Sequence, residues 1–273
     1  MKMISRKLNF RKFTGFLMAA IALTTFASCS DDDTQNDNNA RIVVHMTDAP
    51  GDYDAVFVDV VDVMIKADAN ATDDAGWTSL GGIRTGVYDL LSLTGGVTQL
   101  LADAEVPPGP LGQIRLVLGN NNSVVINGES QPLSTPSAQQ SGLKLKVNQT
   151  LEAGKMYEFL LDFDVDQSIV TAGSSGGFIL KPVIRLAAME GTGTITGEVQ
   201  PSTVVSHVRA ANSANTISAY TDATGNFSLN GVPAGTYQIT VTPAAGLGLQ
   251  VKTVNNVVVA SGATVDLDVI FVD

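Results

Sequence analysis

Three aspartates at alternating positions, Asp162, Asp164 and Asp166, form the densest cluster of chemical groups in the sequence. On a β-strand, carboxylates two residues apart share one face at a separation of about 7 Å. Their repulsion would be relieved by a cation, and oxygen ligands of this kind suit Ca²⁺. A solvated strand face beside Lys or Arg partners is the alternative. We favour that alternative, because Gln167 stands where an EF-hand has glycine and no acid follows at the twelfth position.

The two histidines give no recognisable catalytic arrangement. A peptidase zinc centre requires a histidine, a glutamate three residues later and a distant second histidine. At that spacing His45 is followed by Asp48 and His207 by Ala210. Ser-His-Asp catalysis needs a histidine beside a serine, which only the folded geometry could supply. We therefore predict no catalytic residue and interpret His45 as a partly exposed strand histidine, with a hydrolase that uses His45 as one alternative.

Trp77 is the only tryptophan, and a tryptophan can serve as a platform for a sugar ring. Sites of that type usually expose several aromatic side chains, whereas only 6% of this chain is aromatic. We therefore predict that Trp77 fills a core.

The N-terminus has the pattern of an export signal. Five basic residues and no acid precede the apolar run at 13–27, which is shorter than the about 20 residues that a membrane-spanning helix needs. The run ends at Phe26-Ala27-Ser28-Cys29, which contains the only cysteine of the chain. An ordinary secretory signal, in which this cysteine is incidental, is one interpretation of the segment.

The segment Phe26-Ala27-Ser28-Cys29 resembles the lipobox of bacterial lipoproteins. This resemblance implies that residues 1–28 are removed and that Cys29 is diacylated, becomes the new N-terminus and is acylated again. Ser30, Asp31, Asp32 and Asp33 resemble the export signal of Bacteroidetes lipoproteins, which implies the outer membrane with the protein facing the cell exterior. Residues 29–40 also suit a solvated, disordered tether, and both interpretations can hold.

The charge of the chain excludes one class of partner. The formal net charge is −11, and loss of residues 1–28 would remove five positive and no negative residues, which leaves −16. Such a field repels nucleic acid, so we predict no nucleic-acid partner. The predicted partners are the membrane, through the lipid anchor, and an envelope protein or a glycan.

From Arg41 onward the sequence predicts an all-β protein. β-branched residues alternate with polar ones, and Gly, Pro, Asn and Asp mark the turns. Val61, Val63 and Ile65 can share the buried face of Val56, Val58 and Val60 only if Val60 and Val61 form a β-bulge. A strand is predicted at 156–166, a long loop at 129–142, and turns or one short helical segment at 88–93 and 97–101.

The chain is predicted to form two antiparallel β-sandwich domains, at 41–190 and 191–273. Gly191-Thr192-Gly193 marks the break between them. Seven short strands follow within about 80 residues, which suits a small sandwich. Asp222 and Gly225 suit a tight hairpin turn, and Tyr237 can fill the core while its hydroxyl group reaches the backbone.

Each domain resembles a known family. The first resembles the family of domains of unknown function numbered 4382, on Met46-Thr47-Asp48-Ala49-Pro50, Tyr88-Asp89-Leu90-Leu91, Gln113-Ile114-Arg115-Leu116 and Leu180-Lys181-Pro182-Val183-Ile184-Arg185. The second resembles the carboxypeptidase regulatory-like family, on Gly197-Glu198-Val199, on residues 221–227 and on residues 232–237. The second resemblance implies a seven-strand transthyretin-like or Ig-like sandwich.

These observations lead to one preferred function and two alternatives. We expect a non-enzymatic surface lipoprotein that acts as a binding or assembly module in the cell envelope. A carbohydrate-binding accessory protein of a glycan-uptake system is the first alternative, and the hydrolase is the second.

Overall fold

The computed structural model describes residues 38–49, 51, 53–70, 74–135, 142–173 and 176–273. Within these residues nearly every element is a β-strand, and the strands build sandwich-like layers, which confirms the predicted fold class. Among the described residues there is no helix with the length and apolar character needed to span a bilayer.

The first sandwich contains thirteen of the described strands. They are β1 (Ala40–Ala49), β2 (Ala55–Lys66), β3 (Thr78–Ser79), β4 (Gly86–Asp89), β5 (Gln99–Val106), β6 (Gly109–Leu118), β7 (Ser123–Ile126), β8 (Glu129–Ser134), β9 (Leu143–Leu151), β10 (Met156–Asp164), β11 (Ile169–Ala172), β12 (Gly177–Leu180) and β13 (Ile184–Ala188). A 3-10 helix, Leu90–Leu93, follows β4, and a short α-helix, α1 (Val165–Ser168), follows β10.

Two sheets enclose the first core. One has the order β13-β10-β1-β5, and the other has the order β11-β12-β8-β7-β2-β6-β9, with β3 and β4 also paired to β2. Alternate residues of β1 and β10 point between the sheets, so that Ile42, Val44, Phe159 and Phe163 are completely buried. Removing a side chain of this size from water contributes about 1.5–3 kcal/mol.

The bulge predicted in β2 is present. The register between β2 and β6 shifts between Val60 and Asp62. Val56, Val58, Val60 and Val63 are fully buried, as expected, but Val61 is 47% exposed. Val61 is therefore the extra residue of the bulge and does not join the buried face, which corrects the prediction for that side chain.

The second sandwich consists of seven strands, as predicted. They are β14 (Thr192–Gln200), β15 (Ser206–Ala211), β16 (Thr216–Tyr220), β17 (Asn226–Pro233), β18 (Gly235–Pro243), β19 (Lys252–Val259) and β20 (Thr264–Phe271). The sheets have the orders β17-β14-β20 and β16-β15-β18-β19, and Phe227 and Tyr237 fill the space between them.

The predicted hairpin residues have the expected geometry. Gly225 has a φ of 87°, and the side chain of Asp222 accepts hydrogen bonds from the backbone N–H groups of Thr224 (2.8 Å) and Asn226 (2.9 Å). The hydroxyl group of Tyr237 donates to the carbonyl of Pro233 at 2.9 Å. A buried tyrosine thus satisfies its polar group on the backbone.

Three local predictions need correction. The predicted loop at 129–142 begins with strand β8, which pairs with β7 in antiparallel orientation. Residues 99–101 belong to strand β5, whereas only 90–93 are helical. Although most strand pairs are antiparallel, β1 with β10, β8 with β12, and β14 with β20 are parallel.

Candidate functional site

The two sandwiches contact each other closely through glycine positions. A Cβ atom added at Gly231 of β17 would lie 2.8 Å from the Cβ of Ala187 of β13. A Cβ added at Gly96, in the turn after the 3-10 helix, would lie 2.9 Å from Ser228. A residue larger than glycine at either position would therefore collide with the facing side chain at this junction.

Arg185 of β13 connects the sandwiches. Its Nη2 and Nε donate to Oδ2 of Asp162 on the neighbouring strand β10, at 2.8 Å and 3.1 Å. The same guanidinium group reaches the second sandwich, where Nη2 donates to the carbonyl of Asn230 (2.9 Å) and Nη1 to that of Gly231 (3.1 Å). One side chain thus makes hydrogen bonds on both sides of the junction.

Asp162 is the more deeply buried partner of this ion pair, with 12% of its side chain exposed against 28% for Arg185. Burial raises the pKa of its carboxyl group, and the charge and hydrogen bonds of Arg185 oppose that rise. Arg185 therefore offsets the free-energy cost of burying this carboxylate, because a buried charge without a partner is strongly destabilising.

A cleft of about 760 Å³ lies beside the junction. The first sandwich contributes Gly51, Tyr53, Asp54, Leu91, Thr94 and Asp166 to its wall. The second contributes Val205, His207, Tyr220, Thr221, Asp222, Ala223 and residues 242–245. The volume lies within the range of about 300–1,000 Å³ that ligand pockets occupy.

Aromatic rings form part of the cleft wall. His207 of β15 and Tyr220 of β16 are direct cross-strand partners, and their ring centroids lie 4.8 Å apart at a 49° tilt. Burial lowers the pKa of His207, a shift that the charge of Asp164 opposes and that of Arg209 reinforces. The lowered pKa favours the uncharged imidazole at neutral pH.

The candidate calcium ligands Asp162, Asp164 and Asp166 do not share one strand face, which corrects the predicted strand at 156–166. Strand β10 ends at Asp164, and Asp166 lies in helix α1. Asp162 binds Arg185, whereas Oδ1 of Asp164 caps the helix by accepting from the N–H of Gln167 at 3.0 Å. Among the described residues, no group of three or more His, Cys, Asp or Glu side chains is placed to hold a metal ion.

Asp48 is a residue whose burial the sequence does not reveal. It continues the buried face of β1 beyond Met46, and only 4% of it is exposed. Within the described structure neither carboxyl oxygen has a partner that satisfies hydrogen-bond geometry. Burial first, and then the charges of Asp162, Asp164 and Asp89, raise its pKa well above the ordinary value, which the nearby N–H of Val165 opposes.

The structure agrees with the interpretation of His45 but not with that of Trp77. His45 is half-buried on β1, with Nε2 3.4 Å from Oε1 of Glu158, in agreement with a partly exposed strand histidine. Trp77 does not fill a core, because it belongs to neither hydrophobic cluster. The guanidinium carbon of Arg115 lies 4.3 Å from its ring centroid, and Nζ of Lys66 lies at 5.6 Å. Cation–π contacts thus hold this ring.

The remaining predicted site residues lie outside the described residues. These are the lipid attachment residue Cys29 and the export-signal residues Ser30, Asp31, Asp32 and Asp33.

The model of the family described as Domain of unknown function (DUF4382) matches residues 39–182, which is more than half of the chain. The chain belongs to this family. The match confirms the resemblance inferred for the first domain. No curated protein matches the chain.

Several solved structures are weakly similar to this DUF4382 chain. The match to a type II cohesin–X-dockerin complex from Acetivibrio cellulolyticus has 24% identity and a TM-score of 0.23. It covers 29% of this chain and 56% of the matched chain. The match to the Bacillus anthracis TIE protein has 9% identity and a TM-score of 0.23, and it covers 86% of this chain and 34% of the TIE chain. The match to the shaft pilin spaA from Lactobacillus rhamnosus GG has 11% identity and a TM-score of 0.22, and it covers 86% of this chain and 96% of the pilin chain. The chain thus spans about half of the cohesin–dockerin chain.

Proposed function

We propose that this DUF4382 protein is a non-enzymatic, lipid-anchored binding module of the cell envelope. The observation that carries the proposal is the cleft between two sandwiches that Arg185 connects. A fixed junction presents both walls of the cleft in one geometry, which reduces the entropy cost of binding. In this proposal the second sandwich is a carboxypeptidase regulatory-like domain that supplies one wall.

The proposed anchor is the acylated thiol of Cys29. Each buried methylene group contributes about 0.8 kcal/mol, so several acyl chains together hold a protein on a membrane where one chain does not. Residues 30–33 would direct the protein to the outer membrane, facing the exterior, and the segment up to residue 40 would act as the tether.

The anchor is tested with Cys29→Ser in cells that are labelled with a fatty acid. The variant should lose the label and leave the membrane fraction. Replacement of Asp31, Asp32 and Asp33 by asparagine is the matched variant, because it should retain the label but lose exposure to external protease. A Cys29→Ser protein that stays in the outer membrane would contradict the proposal.

Binding is tested by a pull-down from detergent-solubilised envelopes with the acylated protein. The wild type should retain an envelope component that a variant with a blocked cleft, Ala223→Trp, does not retain. Ala214→Trp, at an exposed position outside the cleft lining, is the matched control. Equal retention by all three proteins would show that the cleft is not the binding site.

The rings in the cleft favour one second candidate, a carbohydrate-binding accessory protein. Tyr53, His207 and Tyr220 provide aromatic surface of the kind that sugar rings pack against. A glycan array with the acylated protein tests this candidate. Retention of no glycan would count against it and would leave the binding-module proposal intact.

A further inference from the structure

We propose that the cleft binds an organic cation, that is, a ligand with an amine or guanidinium group. This inference rests on the proposed binding function and adds the chemical class of the ligand. The shared chemistry could come from a small polyamine or from a lysine or arginine side chain of a peptide.

The first support is the charge of the cleft. Its lining contains three carboxylates, those of Asp54, Asp166 and Asp222, and the described lining residues include neither lysine nor arginine. Asp54 is held by the N–H of Gly128 at 2.8 Å, and Asp222 by the N–H groups of its own turn. Two of the three negative charges are therefore fixed in place before a ligand enters.

The ionisation states agree with this charge. Asp222 remains ionised at neutral pH: burial would raise its pKa, but hydrogen bonds from Thr224 and Asn226 outweigh burial and lower it. Burial lowers the pKa of His207, which favours its neutral form. No positive group in the described lining thus offsets the carboxylates.

The second support is the aromatic surface beside the carboxylates. A cation over the face of an aromatic ring is attracted by the ring quadrupole, and burial strengthens this attraction. Tyr53 lies on one wall, and the Tyr220–His207 pair lies on the other. A ligand between the walls would meet rings and carboxylates together.

Charge and rings in combination distinguish this ligand class from a neutral sugar. A neutral oligosaccharide would use the rings but would gain nothing from the net negative charge of the site. An anionic ligand would be repelled. An organic cation uses both features.

The experiment is isothermal titration calorimetry on the full acylated protein in neutral detergent. The probes are spermidine, a lysine-rich hexapeptide, the same peptide with its lysines acetylated, and a neutral hexasaccharide. At least one cationic probe should bind, and the acetylated peptide should not. Binding should weaken with added salt, because exposed charge interactions are screened. Spermidine and the peptide separate the two sources of the cation.

Paired variants locate the site. Asp166→Asn should weaken cation binding by about tenfold, and Tyr220→Leu by a similar factor, since each removes one attraction. Asp273→Asn, which removes the same charge from the exposed terminal residue outside the cleft, should change the affinity less than twofold. Circular dichroism spectra identical to that of the wild type would establish that each variant is folded.

Three outcomes would overturn the inference. They are the absence of binding by any cationic probe, equal weakening by Asp166→Asn and Asp273→Asn, and binding of the neutral hexasaccharide in the cleft. If the pull-down still depends on an open cleft, the binding function survives and only the cationic class of ligand fails.

Discussion

Arg185→Met should strongly destabilise the protein. The substitution removes two hydrogen bonds to Asp162 and two to the carbonyls of Asn230 and Gly231. The carboxylate of Asp162 then stays buried without its partner. Removing one member of a fully buried ion pair costs about 3–5 kcal/mol; because the side chain of Arg185 is 28% exposed, we expect a loss of about 2–3 kcal/mol in the free energy of unfolding.

The assay is urea denaturation followed by two signals. Fluorescence of Trp77 reports the first sandwich, whereas far-ultraviolet circular dichroism reports both. The two transitions should coincide in the wild type and separate in Arg185→Met, because the variant breaks the connection between the sandwiches. Arg209→Met, at an exposed position on β15, is the control and should cost less than about 0.5 kcal/mol.

A double variant tests the physical reason. Arg185→Met with Asp162→Leu removes both charges, so it should be more stable than Arg185→Met alone. The reasoning is refuted if Arg185→Met loses less than about 1 kcal/mol, or if adding Asp162→Leu lowers stability further.

Three further substitutions test other parts of the structure. Burial raises the pKa of Asp48 in the folded state above its ordinary value of 3.8. The stability that the protonated carboxyl group contributes is therefore fully present below pH 3.8. It is lost as the pH rises towards the folded-state pKa, by up to about 1.4 kcal/mol per pH unit. Asp48→Asn should therefore be more stable than the wild type at pH 7 in urea titrations, and an unchanged pH slope would contradict this. Tyr237→Phe should lower the free energy of unfolding by about 1 kcal/mol, measured by thermal unfolding, because the Pro233 carbonyl loses its hydrogen-bond donor. An unchanged free energy of unfolding would show that this hydrogen bond does not stabilise the fold. Gly231→Ala should cost at least about 1 kcal/mol more than Gly246→Ala, measured by urea denaturation. Both positions have positive φ, but only Gly231 has a close neighbour, and equal costs would show that the contact is unimportant.

Much of the strand pattern could be predicted because it depends on local alternation. The phase change in β2 required a bulge, and the register shift between Val60 and Asp62 confirms it. The direction of Val61 could not be predicted, because a bulge leaves one residue unpaired and the sequence does not say which. The seven strands after residue 191 are separated by clear turn residues, and all seven form.

The aspartate cluster shows where alternation misleads. The residues from Asp162 to Asp166 alternate like a strand, but the chain turns into α1 after Asp164. The side chain of Asp164 provides the reason, since it caps the helix by accepting from the N–H of Gln167. An aspartate favours a helix N-terminus as readily as a solvated strand face, and spacing alone does not separate the two.

Two of the family motifs have physical roles that the sequence alone does not reveal. Asp89 of the Tyr88–Leu91 motif accepts from the N–H of Leu91 at 3.1 Å and so begins the 3-10 helix. Arg115 of a second motif binds Asp74 at 2.6 Å and stacks on Trp77. Asp74 and Trp77 lie far from Arg115 in sequence, so the role of Arg115 appears only in the folded structure.

The cleft combines residues inside the family match with residues beyond it. The DUF4382 match ends at residue 182, before Arg185 and the whole second sandwich. Tyr53, Asp54 and Asp166 lie within the match, whereas His207, Tyr220 and Asp222 lie beyond it. A domain of this family without the second sandwich would present only one wall, with neither the ring pair nor the third carboxylate. The proposed ligand site is therefore a property of this two-sandwich arrangement, and Arg185, which is outside the cleft, should influence binding through the junction that it holds.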